Sequence, residues 1–577
     1  MSAEKAFEKN KILCAAVIVS GLAFLLWRAR YGWCWDDEAF LVSLAQRLWY
    51  GQSLISDEWH VAQFTGVLIL PFYSLFRLFA GGNTGVLLTL RYVYCVMWFA
   101  VCLCAYRVLS RKNIGAIWAY IYLVLFSPLD YMTLSYTSFG LMSALLICCL
   151  YYRHFEIKPL KAPALGILSS LLWCVLVLSF PYMAAGYLLL FVGTTGNATV
   201  KKRRREPYDG AFFKARFIDL ALTALIAAFV VYFFILRGNS LDDIFYGLER
   251  ISGDPEHFPA DLLGRLGAAF SEYDVRSRLM LIAAAALLCL APIMKKRPLR
   301  KLSAFALASL AYAAVIFNYL RTWRLVALNG QAADIVPLGL VCYVYLSEKP
   351  RGLFRFFVPM SFFYGLCAAL GSNTGGKALF SCLTIAGAAG LLFIAALGRE
   401  LWSELRGEKL RLVRMLPAVI TVLVMLTQLT CSLFARLTRQ YLDREFSALT
   451  ETVECGAAKG LAVRPETKRE YEEKYLSLRR LLDEAGADED TDSFMTPEFY
   501  PVLYLDAELP TASFSVWSYG YYDKLYERLS EYYDHSPGKK PTLIFCSADE
   551  DEELADRLLG GYETYTDGDA VLFRRKK

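Results

Sequence analysis

Along this chain, apolar residues gather in blocks of roughly 16–22 residues separated by short basic loops, the length and spacing of helices that cross a bilayer. The blocks begin near Ile12, Val86, Ile114, Ser138, Ala162, Tyr182, Phe217, Leu279, Leu302, Asp334, Leu353, Ala378 and Met415. They predict about 13 spanning helices. One more stretch, residues 61–80, is also long enough to span. It contains Pro71, whose ring removes a backbone donor.

The basic residues decide how that stretch is read. Put the N-terminus inside and let residues 61–80 lie at the outer surface. Then 26 Lys and Arg fall in inner loops, among them Arg107, Arg111, Lys112, the run 201–205 and the stretch 399–414. The short outer loops, 129–137 and Pro181, carry none. If residues 61–80 crossed, the asymmetry would invert, against the rule that Lys and Arg stay cytoplasmic. A re-entrant or interfacial helix is therefore expected there. The first loop (28–85), loops 237–278, 321–333 and 371–377, and the polar end of the chain then all face outward.

The pattern changes near residue 436. Residues 466–485 (ETKREYEEKYLSLRRLLDEA) have helical periodicity with mixed charge. Residues 500–505 and 542–546 read as short buried strands, 521–533 as an aromatic-rich helix between them, and 570–573 as a last strand. Two domains follow: residues 1–436 in the membrane, and residues 437–577 as a soluble α/β domain of ordinary size.

Composition agrees. The chain has 577 residues and is 56% hydrophobic, against about 45–50% for a soluble protein. The net charge of +6 has a topological origin, so no nucleic-acid partner is expected. The run 201–205 reads as a contact to anionic lipid. Most of the 15 cysteines lie in apolar blocks, where a cysteine acts as a small buried apolar residue. There is no CxxC; Cys455 and Cys546, in the polar tail, could pair. The N-terminal lysines and first block resemble the start of a signal peptide, but no small-residue cleavage site follows, so an uncleaved first span is expected.

Several polar groups stand out against this frame. Asp36, Asp37 and Glu38 follow the first block directly, after Trp33 and Trp35 and before an amphipathic run, 40–50. Acids beside a membrane are costly unless solvated or functional. Their ordinary reading is the first turn of a helix, where negative charge is favoured. The functional reading is a positioned carboxylate that removes a proton from a hydroxyl, with its neighbour raising its pKa or holding a metal.

Asp57, Glu58, His60 and Gln63 form a second polar cluster. Asp57 and His60, three apart, can share a metal; the plain alternative is a loop cap. Arg91 lies one turn inside the second block, and Arg321 and Arg324 flank the outer end of another. Guanidinium suits an anionic phosphate, with snorkelling to headgroups as the alternative. The loop 371–377, GSNTGGK, offers Asn373 and Lys377 but does not complete the GxxxxGK[ST] phosphate-loop pattern. Tyr131 and Tyr136 either close a pocket or belong to an interfacial aromatic belt.

A first span, an acid pair at its outer end, an amphipathic helix closing with Gly, a polar connector, an apolar interfacial helix and an Arg-bearing second span resemble the GT-C glycosyltransferases. The branch of protein O-mannosyltransferases and lipid A aminoarabinose transferases is the most similar. Asp36, Asp37, Phe40 and Gly51 match that family's spacing, while residues 59–64 (WHVAQF) lack its Pro-Pro-Leu type motif. The resemblance covers residues 12–109 and the topology of the remaining spans. It implies a GT-C-like polytopic α-helical membrane protein with a C-terminal extracytoplasmic α/β domain.

The implied activity is inverting transfer of a sugar from a polyprenyl-phosphate donor to a glycan, lipid or protein acceptor outside a cell membrane, bacterial by expectation. Asp36 takes the place of the catalytic aspartate and Asp37 that of its partner. Glu38, Asp57, Glu58, His60, Gln63, Arg91, Tyr131, Tyr136, Arg321, Arg324, Asn373 and Lys377 are expected at the donor or acceptor. A divalent metal on Asp57 and His60 is an implied cofactor, and membrane lipids surround the spans. Two other classes fit less well. A transporter or flippase would place charges mid-membrane in broken or repeated helices. An O-antigen-type polymerase or ligase would carry its groups in a large late loop.

Overall fold

A computed structural model describes residues 11–34, 36–128, 132–253, 264, 267, 275–321, 328–371, 376–438, 445–518, 524–547, 556 and 558–576. Every apolar block is helical. The first helix is α1 (Lys11–Arg28). After the acidic stretch come α2 (Asp37–Trp49) and, behind a 3-10 turn at Val61–Phe64, α3 (Thr65–Ala80). The membrane helices continue as α4 (Val86–Leu109), α5 (Ala116–Leu125), α6 (Tyr136–Tyr152), α7 (Ala162–Ser179), α8 (Met183–Arg203) and α9 (Gly210–Val231). The amphipathic α10 (Leu241–Ser252) precedes α11 (Val275–Met294), α12 (Pro298–Arg321), α13 (Leu328–Tyr345), α14 (Arg351–Leu370), α15 (Gly376–Cys382), α16 (Thr384–Glu404) and α17 (Arg411–Thr438).

Among the described residues ten helical stretches are long and apolar enough to cross a membrane. Nine are expected blocks and the tenth is Val61–Ala80; the other four blocks give shorter apolar helices. Two helices form the centre: α16 and α6 bury about four-fifths of their apolar windows, whereas α8 buries 11%. Leu188, Leu189 and Val192 on α8 are exposed, as a lipid-facing helix requires. The basic loops meet at one end. Lys112 pairs with Glu156, His154 with Asp209, and Lys301 with Glu400 and Glu404.

At the other end the chain's C-terminal domain caps the bundle. It contains α18 (Pro465–Ala485), α19 (Val502–Ala507) and α20 (Leu525–His535). A two-stranded antiparallel ladder joins β1 (Glu451–Thr452) to β2 (Ala462–Val463). A mixed sheet joins β3 (Phe494–Met495), β4 (Leu543–Ser547), β5 (Tyr562–Asp567) and β6 (Ala570–Arg575) in the order β3-β4-β6-β5. The helix near 466–485 and the strands near 542–546 and 570–573 are where the pattern places them.

Residues 500–505 differ from expectation. They open a helix rather than a strand, with Pro501 as N-cap of α19. A short apolar run does not distinguish a strand from a buried helical turn. Part of the expected helix 521–533 lies outside the described residues; the described part, α20, begins at Leu525. Cys455 and Cys546 are both free thiols.

Two seams hold the domain to the bundle. At the first, Gly32 N donates to Ala462 O (2.8 Å) and Ala462 N to Arg30 O (2.7 Å), so the loop after α1 pairs with β2. At the second, α19 packs on α2. Gln46 Nε2 donates to Tyr504 O (2.7 Å), and Asn83 Nδ2 donates to Leu505 O (2.7 Å) and to Gln46 Oε1 (2.9 Å). Every residue of α2 from Glu38 to Arg47 is consequently buried. Its polar residues Ser43, Gln46 and Arg47 meet the C-terminal domain.

Helix α3 lies along this same seam. Trp59 N, ahead of it, donates to Phe514 O (2.8 Å), and Arg77 in its last turn pairs with Glu508 (3.0 Å). Both ends therefore meet the C-terminal domain, and the helix runs along that end of the molecule rather than through the bundle. Gly66 lets it approach α2, since a Cβ there would sit 3.0 Å from Leu44 O. On the other side Leu75, Leu78 and Phe79 are exposed.

Candidate active site

The acidic stretch emerges from α1 into the first seam. Trp33 is buried edge-on against Tyr471 of α18 (centroids 4.7 Å apart). The chain then turns into α2, and the three acids meet three different environments.

Asp36 is the residue before α2, and its side chain makes no cap hydrogen bond. Its Oδ1 is buried without a hydrogen-bond partner among the described residues. Burial, and secondarily the charge of Asp37, raise its carboxyl to about 7. Asp37 opens α2 and accepts a weak hydrogen bond from Cys34 Sγ (3.4 Å). Glu38 is fully buried and receives Arg91 in a fork, Nε to Oε1 at 2.6 Å and Nη2 to Oε2 at 2.5 Å. Arg91 Nη1 also donates to Ala29 O (2.9 Å) and Gly32 O (2.8 Å).

Arg91 therefore differs from the expected phosphate ligand. Its charge is matched by Glu38, and its remaining donors fix the turn that leads to Asp36. Glu38, expected at a substrate, is the other half of that pair.

The second cluster is also drawn into the frame. Glu58 accepts from Arg47 Nη1 (2.8 Å), His60 N (3.2 Å) and Val516 N (3.4 Å). Burial raises the Glu58 carboxyl, and Arg47 opposes that shift. Asp57 takes Ser53 N on Oδ2 (2.5 Å) and Lys539 Nζ on Oδ1 (2.6 Å).

Asp57 and His60 do not make a metal site as placed. Both Asp57 oxygens are engaged, one by an ammonium group that repels a cation. His60 Nδ1 accepts from Ala62 N (3.0 Å). Among the described residues no three His, Cys, Asp or Glu side chains group as a metal would need.

His60 instead helps line a cavity of about 280 Å³, bounded also by Gln63, Tyr136, Pro181, Tyr182 and Gly371. Its walls are largely apolar, from Ile55, Val61, Phe64, Phe180, Leu248 and Ile251. Gln63 Oε1 accepts from Ile55 N (2.5 Å), and Tyr136 packs edge-on against Phe180 (5.4 Å). One ring links the helix of the acids to His60 of the cavity wall. Phe40, a turn after Asp36 on α2, touches His60 at 4.6 Å and Trp517 of the C-terminal domain at 5.2 Å.

The structure thus gathers Asp36, Asp37, Glu38 and Arg91 at one place, and Glu58, His60, Gln63 and Tyr136 around or behind the cavity. Tyr131, Arg324 and Asn373 lie outside the described residues, as do the side chains of Arg321 and Lys377. Sequence reading passed over Arg47 and Trp517. The signal for Arg47 is a lone cation in a helix that is otherwise uncharged after Glu38. Trp517 had none beyond the aromatic density of its segment.

Fold and site together define a polytopic helical membrane protein with a C-terminal α/β domain seated on the end that carries the acids. Searches against family models and against curated proteins find no match. Among solved structures, the chain is similar to the crystal structure of ArnT from Cupriavidus metallidurans bound to undecaprenyl phosphate. The identity is 12%, the coverage 98% of each chain, and the TM-score 0.42, a loose likeness.

Proposed function

We propose that this protein is an inverting membrane glycosyltransferase that moves a sugar from a polyprenyl phosphate to an acceptor hydroxyl on the side of the C-terminal domain. The observation that carries the reading is Asp36: a carboxyl with one oxygen buried and unpartnered among the described residues, its pKa raised by burial to about 7, a turn ahead of the Phe40 that packs on His60 of the cavity wall. A general base works best when its pKa lies near the operating pH.

In the reaction Asp36 takes the proton of the acceptor hydroxyl. The freed oxygen attacks the anomeric carbon from the face opposite the phosphate. The bond from that carbon to the phosphate oxygen breaks, and its electron pair leaves on the phosphate. A single displacement inverts the anomeric centre. The phosphate leaves already ionised and needs no general acid. Burial, and after it the charge of Asp37, keeps the pKa of Asp36 high, and the Glu38–Arg91 pair fixes the turn that presents it.

The apolar cavity takes the isoprenoid units next to the phosphate, with His60, Gln63 and Tyr136 as its polar contacts. Arg321, Arg324 and Lys377 are the cations proposed for the phosphate. Gly371, which begins the loop of Asn373 and Lys377, is at the cavity wall. The basic loops at the opposite end support a cytoplasmic N-terminus, with α3 in the outer interface.

The test uses purified protein in lipid discs with radiolabelled polyprenyl-phosphate sugars and a membrane glycan, lipid and protein acceptor fraction. Transfer of label with release of polyprenyl phosphate supports the reading. Label that crosses a vesicle bilayer still attached to its lipid would show a flippase instead.

A further inference from the structure

We propose that Arg47 is a positioning residue of this reaction, holding the cavity wall and the C-terminal domain in register with the helix that carries Asp36; this rests on the glycosyltransferase reading. Arg47 sits near the far end of α2, ten residues after Asp37. Asp36 lies one residue further back, so at 1.5 Å per residue the two backbone positions are about 16 Å apart along the helix, and Arg47 does not touch the chemistry.

Its guanidinium, 2% exposed, joins three segments. Nη1 pairs with Glu58 at 2.8 Å, and Nη2 donates to Asp57 O and to Ser513 O, the latter at 2.8 Å. Glu58 extends the link by accepting His60 N and Val516 N. One ion pair thus ties α2, the loop that sets His60 in the cavity wall, and the strap 511–517 of the C-terminal domain. Two neighbouring bonds reinforce the strap: Gln52 Nε2 to Thr511 O (2.6 Å) and Trp59 N to Phe514 O (2.8 Å).

Stability alone does not call for this arrangement. A buried ion pair is often no more stable than apolar residues of similar volume. What a planar guanidinium adds is direction: several bonds at fixed angles to separate segments. The loop it holds also carries backbone strain. Ile55, β-branched, has φ of 71°, a conformation such residues rarely adopt and which persists only where neighbours enforce it.

The experiment uses the full chain in lipid discs and compares wild type with Arg47→Met, Arg47→Met/Glu58→Leu and Arg47→Lys. Thermal unfolding, kcat, KM for the polyprenyl-phosphate sugar and hydrogen exchange at Trp59 are read for each. Arg47→Met alone lowers the melting temperature, because Glu58 is left buried and unpaired. The double variant regains stability, yet its kcat stays about 100-fold down, the scale of a 1 Å misplacement, with donor KM nearly unchanged. Trp59 exchanges faster.

Arg47→Lys keeps the charge, loses the fork, and falls in kcat with little change in melting. Recovery of kcat together with stability in the double variant, or a wild-type kcat in Arg47→Lys, overturns the proposal. If wild type transfers no sugar, the glycosyltransferase reading fails. The positioning role is then decided by exchange alone: unchanged protection at Trp59, whose acceptor Phe514 O neither substitution removes, overturns it in the double variant, and lost protection there upholds the clamp.

Discussion

Arg91 and Glu38 meet in a two-bond fork, 2.6 and 2.5 Å, with both side chains about 1% exposed. The pair joins the second membrane helix to the first turn of the helix behind Asp36. Removing one partner leaves a buried charge unmatched, a loss of about 3–5 kcal/mol. Glu38→Gln and Arg91→Met are each expected to lower the unfolding temperature in detergent or lipid discs. Arg91→Met/Glu38→Leu should recover a large part of it. If instead Arg91→Met left stability intact while weakening binding of polyprenyl phosphate, Arg91 would be a ligand of the donor after all.

The acids make a prediction about pH. Asp36 accepts a proton only when ionised, and burial with the Asp37 charge holds its carboxyl near 7. The value of kcat/KM should therefore rise with pH, reach half its plateau near pH 7 and stay flat above. Asp37→Asn removes the like charge, so the limb should move to lower pH. A profile already flat from pH 5 upward would assign the base elsewhere.

A second raised carboxyl affects stability rather than catalysis. Asp506 is wholly buried in the C-terminal domain, with Ala457 N (2.7 Å) and Tyr471 Oη (3.0 Å) donating to Oδ1 and no hydrogen-bond partner on Oδ2 among the described residues. Burial raises it from 3.8 to about 7. The folded state then holds a proton that the unfolded state has released. Stability from this group is full below about pH 4, declines as pH rises, and is gone above about pH 7, a span of roughly 4 kcal/mol at most. Asp506→Asn keeps the acceptor and removes the charge. It should unfold at a higher temperature than wild type at pH 8 and show a shallower decline between pH 5 and 8. Equal slopes for the two proteins would rule this out.

The cavity can be filled from its wall. Ala62 lines it in the short turn before α3, so Ala62→Trp should take the space proposed for the first isoprenoid units. Polyprenyl-phosphate affinity, read by native mass spectrometry or competition binding, should fall about tenfold or more, at least 1.4 kcal/mol. Unaltered binding would mean that the lipid runs elsewhere.

How much of this was legible in the sequence varied with distance along the chain. The apolar blocks and the basic loops are local patterns, and each block became a helix. Asp36 was singled out by its neighbours, and its environment suits the role. Arg91 and Glu38 were both singled out as well, but as separate ligands; nothing local says that residues 53 apart face each other. Arg47 shows the same limit more sharply. Its three partners come from residues 57–58 and from Ser513, and only folding the C-terminal domain onto α2 turns a surface arginine into a buried clamp. The 500–505 segment was misread for a local reason. Its apolar run suits either a strand or a buried turn, and Pro501 ahead of it was the helix-start signal that should have decided.

Transfer by Asp36→Asn tests the account most directly. Wild type and variant would be given the same radiolabelled polyprenyl-phosphate sugar and acceptor in lipid discs, with donor binding measured in parallel. The account predicts that the variant binds the donor as wild type does, unfolds at the same temperature or higher, and transfers at least about 100-fold more slowly, the lower end of what a general base contributes. Transfer at the wild-type rate by a folded, donor-binding Asp36→Asn protein would contradict it.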